Sequence, residues 1–80
     1  MTNRDIQFIW DFYGEDAEKT AKHHAIHLVE FFEKKNIKFK LIQSNLIEVN
    51  HAVAYVVAKE NLVEKIKMNL KPKRALIYKV

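Results

Sequence analysis

Hydrophobic and polar residues alternate near the start of the chain, in the segment IQFIWDFY at residues 6–13. An alternation with period two, rich in aromatic and β-branched residues, predicts a β-strand with one buried face. The buried side of that strand would carry Ile6, Phe8, Trp10 and Phe12. Gly14 then interrupts the pattern, so we expect the strand to end there.

The pattern after Gly14 is helical. Glu15, Asp16 and Glu18 suit a first helical turn, where carboxylates complement the helix dipole. From there to about Lys35, residues recur at the spacing of one helix face, which predicts an amphipathic helix. Its core stripe would contain Ala17, Ala21, His24, Leu28, Phe31, Phe32 and Lys35.

Two strands joined by a turn are predicted next. The segment IKFKLIQ (37–43) alternates, and HAVAYVVA (51–58) is apolar on both faces, as a central strand would be. The turn between them could lie at Ser44-Asn45 or at Asn50-His51. We favour Asn50-His51, because Asn accepts the left-handed conformation that a tight hairpin turn requires.

A second helix and a last strand complete the pattern. KENLVEKIKMNL (59–70) predicts a shorter helix that buries Leu62, Ile66 and Leu70 and ends at Lys71-Pro72. KRALIYKV (73–80) alternates again, with Leu76, Tyr78 and Val80 on one side. The order β-α-β-β-α-β over residues 1–80 predicts one α+β domain of ferredoxin-like topology, a four-stranded antiparallel sheet with two helices on one face.

Several apolar residues are left outside the predicted core. Ile9, Tyr13 and Ile42 would lie on the sheet face away from the helices, and Ile26 lies opposite the stripe of the first helix. Because several apolar residues on one flat face indicate a contact surface, we expect a homodimer formed through this face or through an edge strand, or a protein partner.

Composition limits the classes of protein that fit. The chain has 80 residues, of which 49% are hydrophobic, with one Gly, one Pro and no Cys. Without Cys there is no disulfide, no thiolate zinc site and no cysteine nucleophile, and a reducing, cytoplasmic location is expected. The first residues do not resemble a signal peptide, and the longest apolar run, AVAYVVA, is far too short to span a membrane.

Positive charge is concentrated in the second half. Residues 1–36 carry five Lys or Arg and seven Asp or Glu, whereas residues 37–80 carry nine and three, which gives the net charge of +4. Such a basic segment can bind nucleic acid phosphates, and Lys71, Lys73 and Arg74 are the candidates. Tyr13 or Tyr55 could stack on RNA bases. A solvated, lysine-rich surface is the simpler interpretation.

Three of the four histidines fall in AKHHAIHL, residues 21–28. The helical periodicity places His24 in the core stripe, as a neutral imidazole bonded to backbone. His23 and His27 are neighbours at i and i+4, and with Glu30 or Asp16 they could hold Zn²⁺, Ni²⁺ or Cu²⁺. The Glu that would follow the first His in a metalloprotease is missing. The same cluster could also respond to pH.

Catalytic patterns are weak. Asp11 and Glu48 are candidate carboxylates that nothing in the sequence places together, and Ser44 lacks the glycines of a nucleophile elbow. We therefore expect a small interaction or regulatory module that is not an enzyme and has no resident cofactor. Binding of Zn²⁺ or Ni²⁺ by His23, His27 and Glu30, and RNA binding by the basic C-terminal segment, are the alternatives.

Overall fold

The computed structural model describes residues 4–78, which form a four-stranded antiparallel sheet and two α-helices, an α+β arrangement. In chain order the elements are β1 (Asp5–Tyr13), α1 (Ala17–Lys34), β2 (Leu41–Glu48), β3 (His51–Lys59), a 3-10 turn (Glu60–Leu62), α2 (Val63–Leu70) and β4 (Arg74–Ile77). The strand order is β2-β3-β1-β4, so β3 and β1 are central and β2 and β4 form the edges. Within residues 4–78 no helix is long and apolar enough to cross a membrane.

One face of the sheet packs against both helices. Its core joins Phe8 of β1, Val56 of β3, Leu28 and Phe32 of α1, and Ile66 of α2, and each of these side chains is at most 1% exposed. The inward side of β1 is therefore the predicted one, and the buried residues of α1 follow the predicted stripe apart from its exposed end at Lys35. Periodic burial explains why the pattern identified these elements.

The opposite side of the sheet, which we call the open face, has a smaller apolar cluster of its own. Ile9, Val53, Tyr55 and Val57 form it, and none of them is more than 8% exposed. Ile9 was predicted there, and Tyr13 follows it on the same side of β1. Ile42 was also predicted on the open face, which is wrong, because it packs against the helix-side core.

That error has its origin where β2 begins. The predicted strand starts at Ile37, but β2 starts at Leu41. The N–H of Ile37 bonds to the carbonyl of Phe32 at 2.9 Å, so this residue helps to close the end of α1 instead of joining a sheet ladder. Phe39 and Ile42 then both face the helix-side core, a spacing of three that a continuous strand does not allow.

The hairpin turn lies one residue before the favoured position, at 49–50 between Glu48 and His51. Its conformation also differs, because the described non-glycine residues with positive φ are Asn36 and Lys71, which end the two helices. In the C-terminal part, α2 proper begins at Val63 and β4 covers Arg74–Ile77, shorter than predicted. Val80, predicted on the same side of this strand as Leu76 and Tyr78, lies outside the described residues.

Candidate interaction surfaces

Asp11 on the open face connects three strands. Its Oδ1 accepts a hydrogen bond from Arg74 Nη2 at 2.9 Å and its Oδ2 one from Arg74 Nε at 3.0 Å, a bidentate pair. The same Oδ1 lies 2.9 Å from Nε2 of His51. Because an ionised carboxylate can only accept, that nitrogen carries the hydrogen. Asp11 therefore ties β1 to both of its neighbours, β3 and β4.

Burial and hydrogen bonding act in opposite directions on Asp11. Burial raises the pKa of its carboxyl group, but the hydrogen bonds from His51 and Arg74 outweigh it and hold the pKa below the ordinary value of 3.8. Only 11% of the Asp11 side chain is exposed, and 49% of that of Arg74. The charge of Asp11 is thus already compensated within the chain.

Tyr13 covers the histidine of this cluster. Its ring stacks on His51 with centroids 4.4 Å apart and planes inclined by 14°, while Tyr13 itself is 73% exposed. These two residues border a shallow cleft of about 560 Å³ that continues to the hairpin turn. A flat aromatic ring at the rim of the open face is the kind of side chain that a planar ligand could contact.

A second charged cluster lies at the other end of the open face. Asp5 Oδ2 is 3.2 Å from Lys40 Nζ and Asp5 Oδ1 is 3.1 Å from Lys59 Nζ. The ammonium groups of Lys59 and Lys40 lower the pKa of Asp5 below its ordinary value. A cleft of about 260 Å³ is lined by these three charged residues and also by Lys38 and Phe39.

The free edges of the sheet differ in their protection. The β4 edge has four residues, follows Pro72 and begins with Arg74, features that discourage pairing with another strand. The β2 edge has eight residues, and residues 41–47 (LIQSNLI) carry no charge and no Pro. Leu46 and Ile47 are about half exposed there. Among the described strands, β2 pairs with β3 alone, so its outer N–H and C=O groups face outward.

The three histidines of α1 have different surroundings. His24 is half-buried and packs against Trp10 and Phe12, with ring centroids 5.0 and 5.4 Å away. Burial lowers its pKa, and the nearby His27 lowers it further. Its Nε2 is buried with no hydrogen-bond partner in residues 4–78, so the predicted bond to backbone is not found for this nitrogen.

The predicted metal ligands lie together on the exposed flank of α1. The rings of His23 and His27 meet edge to face at 4.7 Å, and His27 Nδ1 is 3.3 Å from Glu30 Oε1. No three His, Asp or Glu side chains within the described part of the chain converge as metal ligands would. Metal binding by these residues stays a prediction.

The predicted nucleic-acid residues have different roles in the structure. Arg74 is paired with Asp11, Lys71 ends α2 in a left-handed conformation, and the backbone N–H of Lys73 bonds to the carbonyl of Ile9 at 2.9 Å. Of the two predicted stacking residues, Tyr13 is exposed, whereas Tyr55 is 8% exposed and bonds through its hydroxyl to Gln43. RNA binding stays a prediction too.

Sequence reasoning missed the ion cluster of the open face. Asp11 was considered without partners, because His51 is 40 residues away in the chain and Arg74 is 63 residues away. Only the strand register brings them together. The lack of charged residues in segment 41–47 was visible in the sequence, but it indicates a contact surface only if β2 is an outer strand.

Comparisons with known protein families, curated proteins and solved structures find no match for this chain.

Proposed function

We propose that this chain is a small, non-catalytic interaction module that self-associates through the free edge of β2. The observation that carries the proposal is the contrast between the two edges of the sheet. Residues 41–47 form an uncharged edge whose outward backbone groups pair with no other strand in residues 4–78, which makes it a template for pairing with another strand. The β4 edge is short and follows a proline, so strand addition there is disfavoured.

The open face is the other surface on which a partner could lie, and the structure favours it less. Its apolar centre is already covered by the chain's own side chains, since Ile9 and Val57 are 5% and 0% exposed. A partner there would gain little apolar burial. It would also remove water from the ion pairs of Asp5 and Asp11, which costs free energy.

We further propose that the domain has ferredoxin-like topology and acts in the cytoplasm. The order β-α-β-β-α-β and the central positions of β1 and β3 support the topology. The absence of Cys supports the location. A non-catalytic role is supported by Asp11, the least exposed of the acidic groups in the described ion pairs, whose carboxylate is occupied by Arg74 and His51.

Sedimentation equilibrium over a range of concentrations tests the proposed surface. We expect the wild-type chain to self-associate and Ile47→Lys to weaken the association by about tenfold or more, because a charge placed within a strand interface must be desolvated. Ile47 is 52% exposed, so the substitution should leave the fold intact.

Met68→Lys is the matched control. Met68 is 78% exposed on α2, and the last residue of this helix is bonded to Trp10 of the central strand β1. Met68→Lys therefore adds the same charge as Ile47→Lys, but on a helix that is attached to β1. It should associate as the wild type does. Equal effects of the two substitutions, or a wild-type chain that stays monomeric at all concentrations, would contradict the proposal.

A further inference from the structure

The residues of β2 and its flank have a chemical symmetry. Positions 40–48 read KLIQSNLIE, with Ser44 at the centre. Moving outward from Ser44, each step meets the same kind of residue on both sides: an amide, then two apolar residues, then a charged residue of opposite sign. The matching pairs are Gln43 with Asn45, Ile42 with Leu46, Leu41 with Ile47, and Lys40 with Glu48.

This symmetry has a consequence for antiparallel pairing of two identical strands. When two copies of β2 run antiparallel with Ser44 opposite Ser44, each residue faces its chemical match. Side chains directly opposite one another in such a pair are neighbours, and apolar pairs and opposite charges stabilise it. By sequence spacing, Lys40 of each copy then falls opposite Glu48 of the other, so the two ends of the interface carry opposite charges, while Lys40 keeps its ion pair with Asp5 of its own chain.

The faces of β2 agree with this register. Ile42 and Leu46 pair with Val56 and Ala52 of β3, two residues of the helix-side core, so the inner apolar match, Ile42 with Leu46, lies on the helix side. Gln43 and Asn45 both lie on the open face, opposite Tyr55 and Val53, so the amide match lies there. Opposite residues of the two copies would therefore share a face, as antiparallel pairing requires.

The irregular part of β2 does not interrupt the centre of the interface. The β-bulge falls between Leu46 and Glu48, so residues 41–46 keep a regular register with β3. The position of α1 also fits. This helix packs mainly against β2 and β3 and less against β1, so a two-fold axis through Ser44 would place the α1 helices of two copies side by side on the same face of the joined sheet, roughly 10–13 Å apart.

We propose that the partner of the β2 edge is a second copy of this chain, paired antiparallel with Ser44 on the two-fold axis. The two sheets would then join into one continuous eight-stranded sheet. Ile42 of each copy would lie opposite Leu46 of the other, and Gln43 opposite Asn45, so each edge meets the same residues in its partner, the isologous arrangement of a closed dimer. This inference rests on the proposed self-association through the β2 edge and adds the register and the two-fold symmetry of the pair.

Disulfide trapping tests the register, because the chain has no Cys of its own. Opposite Cα atoms of antiparallel strands are about 4.5–5.5 Å apart, within the reach of a disulfide. Ser44→Cys should therefore form a disulfide-linked dimer under mild oxidation. Asn45→Cys is the matched control on the same strand: its two copies would be about 8 Å apart in this register, too far for a disulfide.

We expect Ser44→Cys to crosslink at least about tenfold faster than Asn45→Cys, although Asn45 is the more exposed of the two positions. An equimolar mixture of Gln43→Cys and Asn45→Cys should form the mixed disulfide faster than either variant crosslinks alone. This second arm decides the register even if Ser44→Cys fails to fold. Asn61→Cys, exposed in the 3-10 turn, gives the rate of random collision.

The masses of the same samples before oxidation separate the two proposals. A dimer in which Asn45→Cys crosslinks as fast as Ser44→Cys, or in which the mixed disulfide is not enriched, would overturn the register and leave the β2 edge as the interaction surface. Monomers throughout, with every variant crosslinking at the rate of Asn61→Cys, would overturn both.

Discussion

The indole N–H of Trp10 donates a 2.9 Å hydrogen bond to the carbonyl oxygen of Leu70, the last residue of α2. The last carbonyls of a helix have no partner within the helix, and this bond supplies one. Trp10 is 6% exposed, so its indole also fills the core beneath the helix end. The bond therefore attaches the short helix α2 to the central strand β1.

Trp10→Phe should loosen α2 more than the rest of the domain. We expect a loss of about 1–3 kcal/mol in the free energy of unfolding, because the carbonyl of Leu70 loses its donor and the smaller ring leaves a void. Hydrogen exchange of the α2 amides should accelerate. Tyr55→Phe is a matched control that removes the hydroxyl donor to Gln43 on the open face and should leave the exchange of α2 unchanged.

Asp11→Asn should destabilise the domain by about 1–3 kcal/mol at neutral pH, measured by urea unfolding. The variant leaves the guanidinium of Arg74 without its bidentate acceptor and weakens the bond from His51. Because the folded-state pKa of Asp11 is below 3.8, its contribution is present above about pH 4 and is lost as the pH falls below that value. The variant should lack that part of the acid sensitivity.

Glu60→Gln is the control for this prediction. It removes a carboxylate that pairs with Arg4 at 2.9 Å, but both side chains are well exposed, so water replaces the lost partner. Its effect on the free energy of unfolding should be clearly smaller. If both variants are destabilised equally, the buried carboxylate of Asp11 contributes no more to the free energy of unfolding than the exposed carboxylate of Glu60.

His24 should make the domain less stable in mild acid. Its pKa is lowered in the folded state by burial and by His27, whereas in the unfolded chain it is about 6.5. As the pH falls through 6.5, the unfolded state takes up the proton first, so the free energy of unfolding decreases until the folded-state pKa is passed. His24→Phe should flatten this slope between about pH 5 and pH 7 while it keeps the contacts with Trp10 and Phe12.

The comparison for that variant is His23→Phe, which removes an exposed imidazole from the same helix. Thermal or urea unfolding at a series of pH values gives both slopes. A His24→Phe protein that retains the wild-type slope would show that another group is responsible.

The fold was predictable where burial is periodic and not where local hydrogen bonds redirect the chain. The alternation in β1 and the stripe of α1 follow directly from which residues face the helix-side core. The start of β2 could not be predicted, because Ile37 is apolar and spaced like a strand residue. Its N–H nevertheless donates a hydrogen bond to the carbonyl of Phe32 in α1. That local bond shifts the alternation by one residue and places Ile42 on the face opposite to the predicted one.

The two candidate surfaces were predictable to different degrees. The cluster of Asp11, His51 and Arg74 depends on the register of three strands, which no local pattern specifies. The symmetry around Ser44 is contained entirely in the sequence, but it becomes informative only when β2 is known to be an edge. Hydrophobic periodicity reports which side of an element is buried and gives no information about which strand is outermost.

Hydrogen exchange of the backbone amides at increasing protein concentration shows which edge of the sheet is the contact surface, because it reports each edge separately. If the β2 edge pairs with a second copy, the outward-facing amides of residues 41–47 should exchange more slowly as the concentration rises, and those of Arg74–Ile77 at the β4 edge should not change. Exchange at β2 that is independent of concentration, or new protection at β4 instead, would show that β2 is not the edge that pairs.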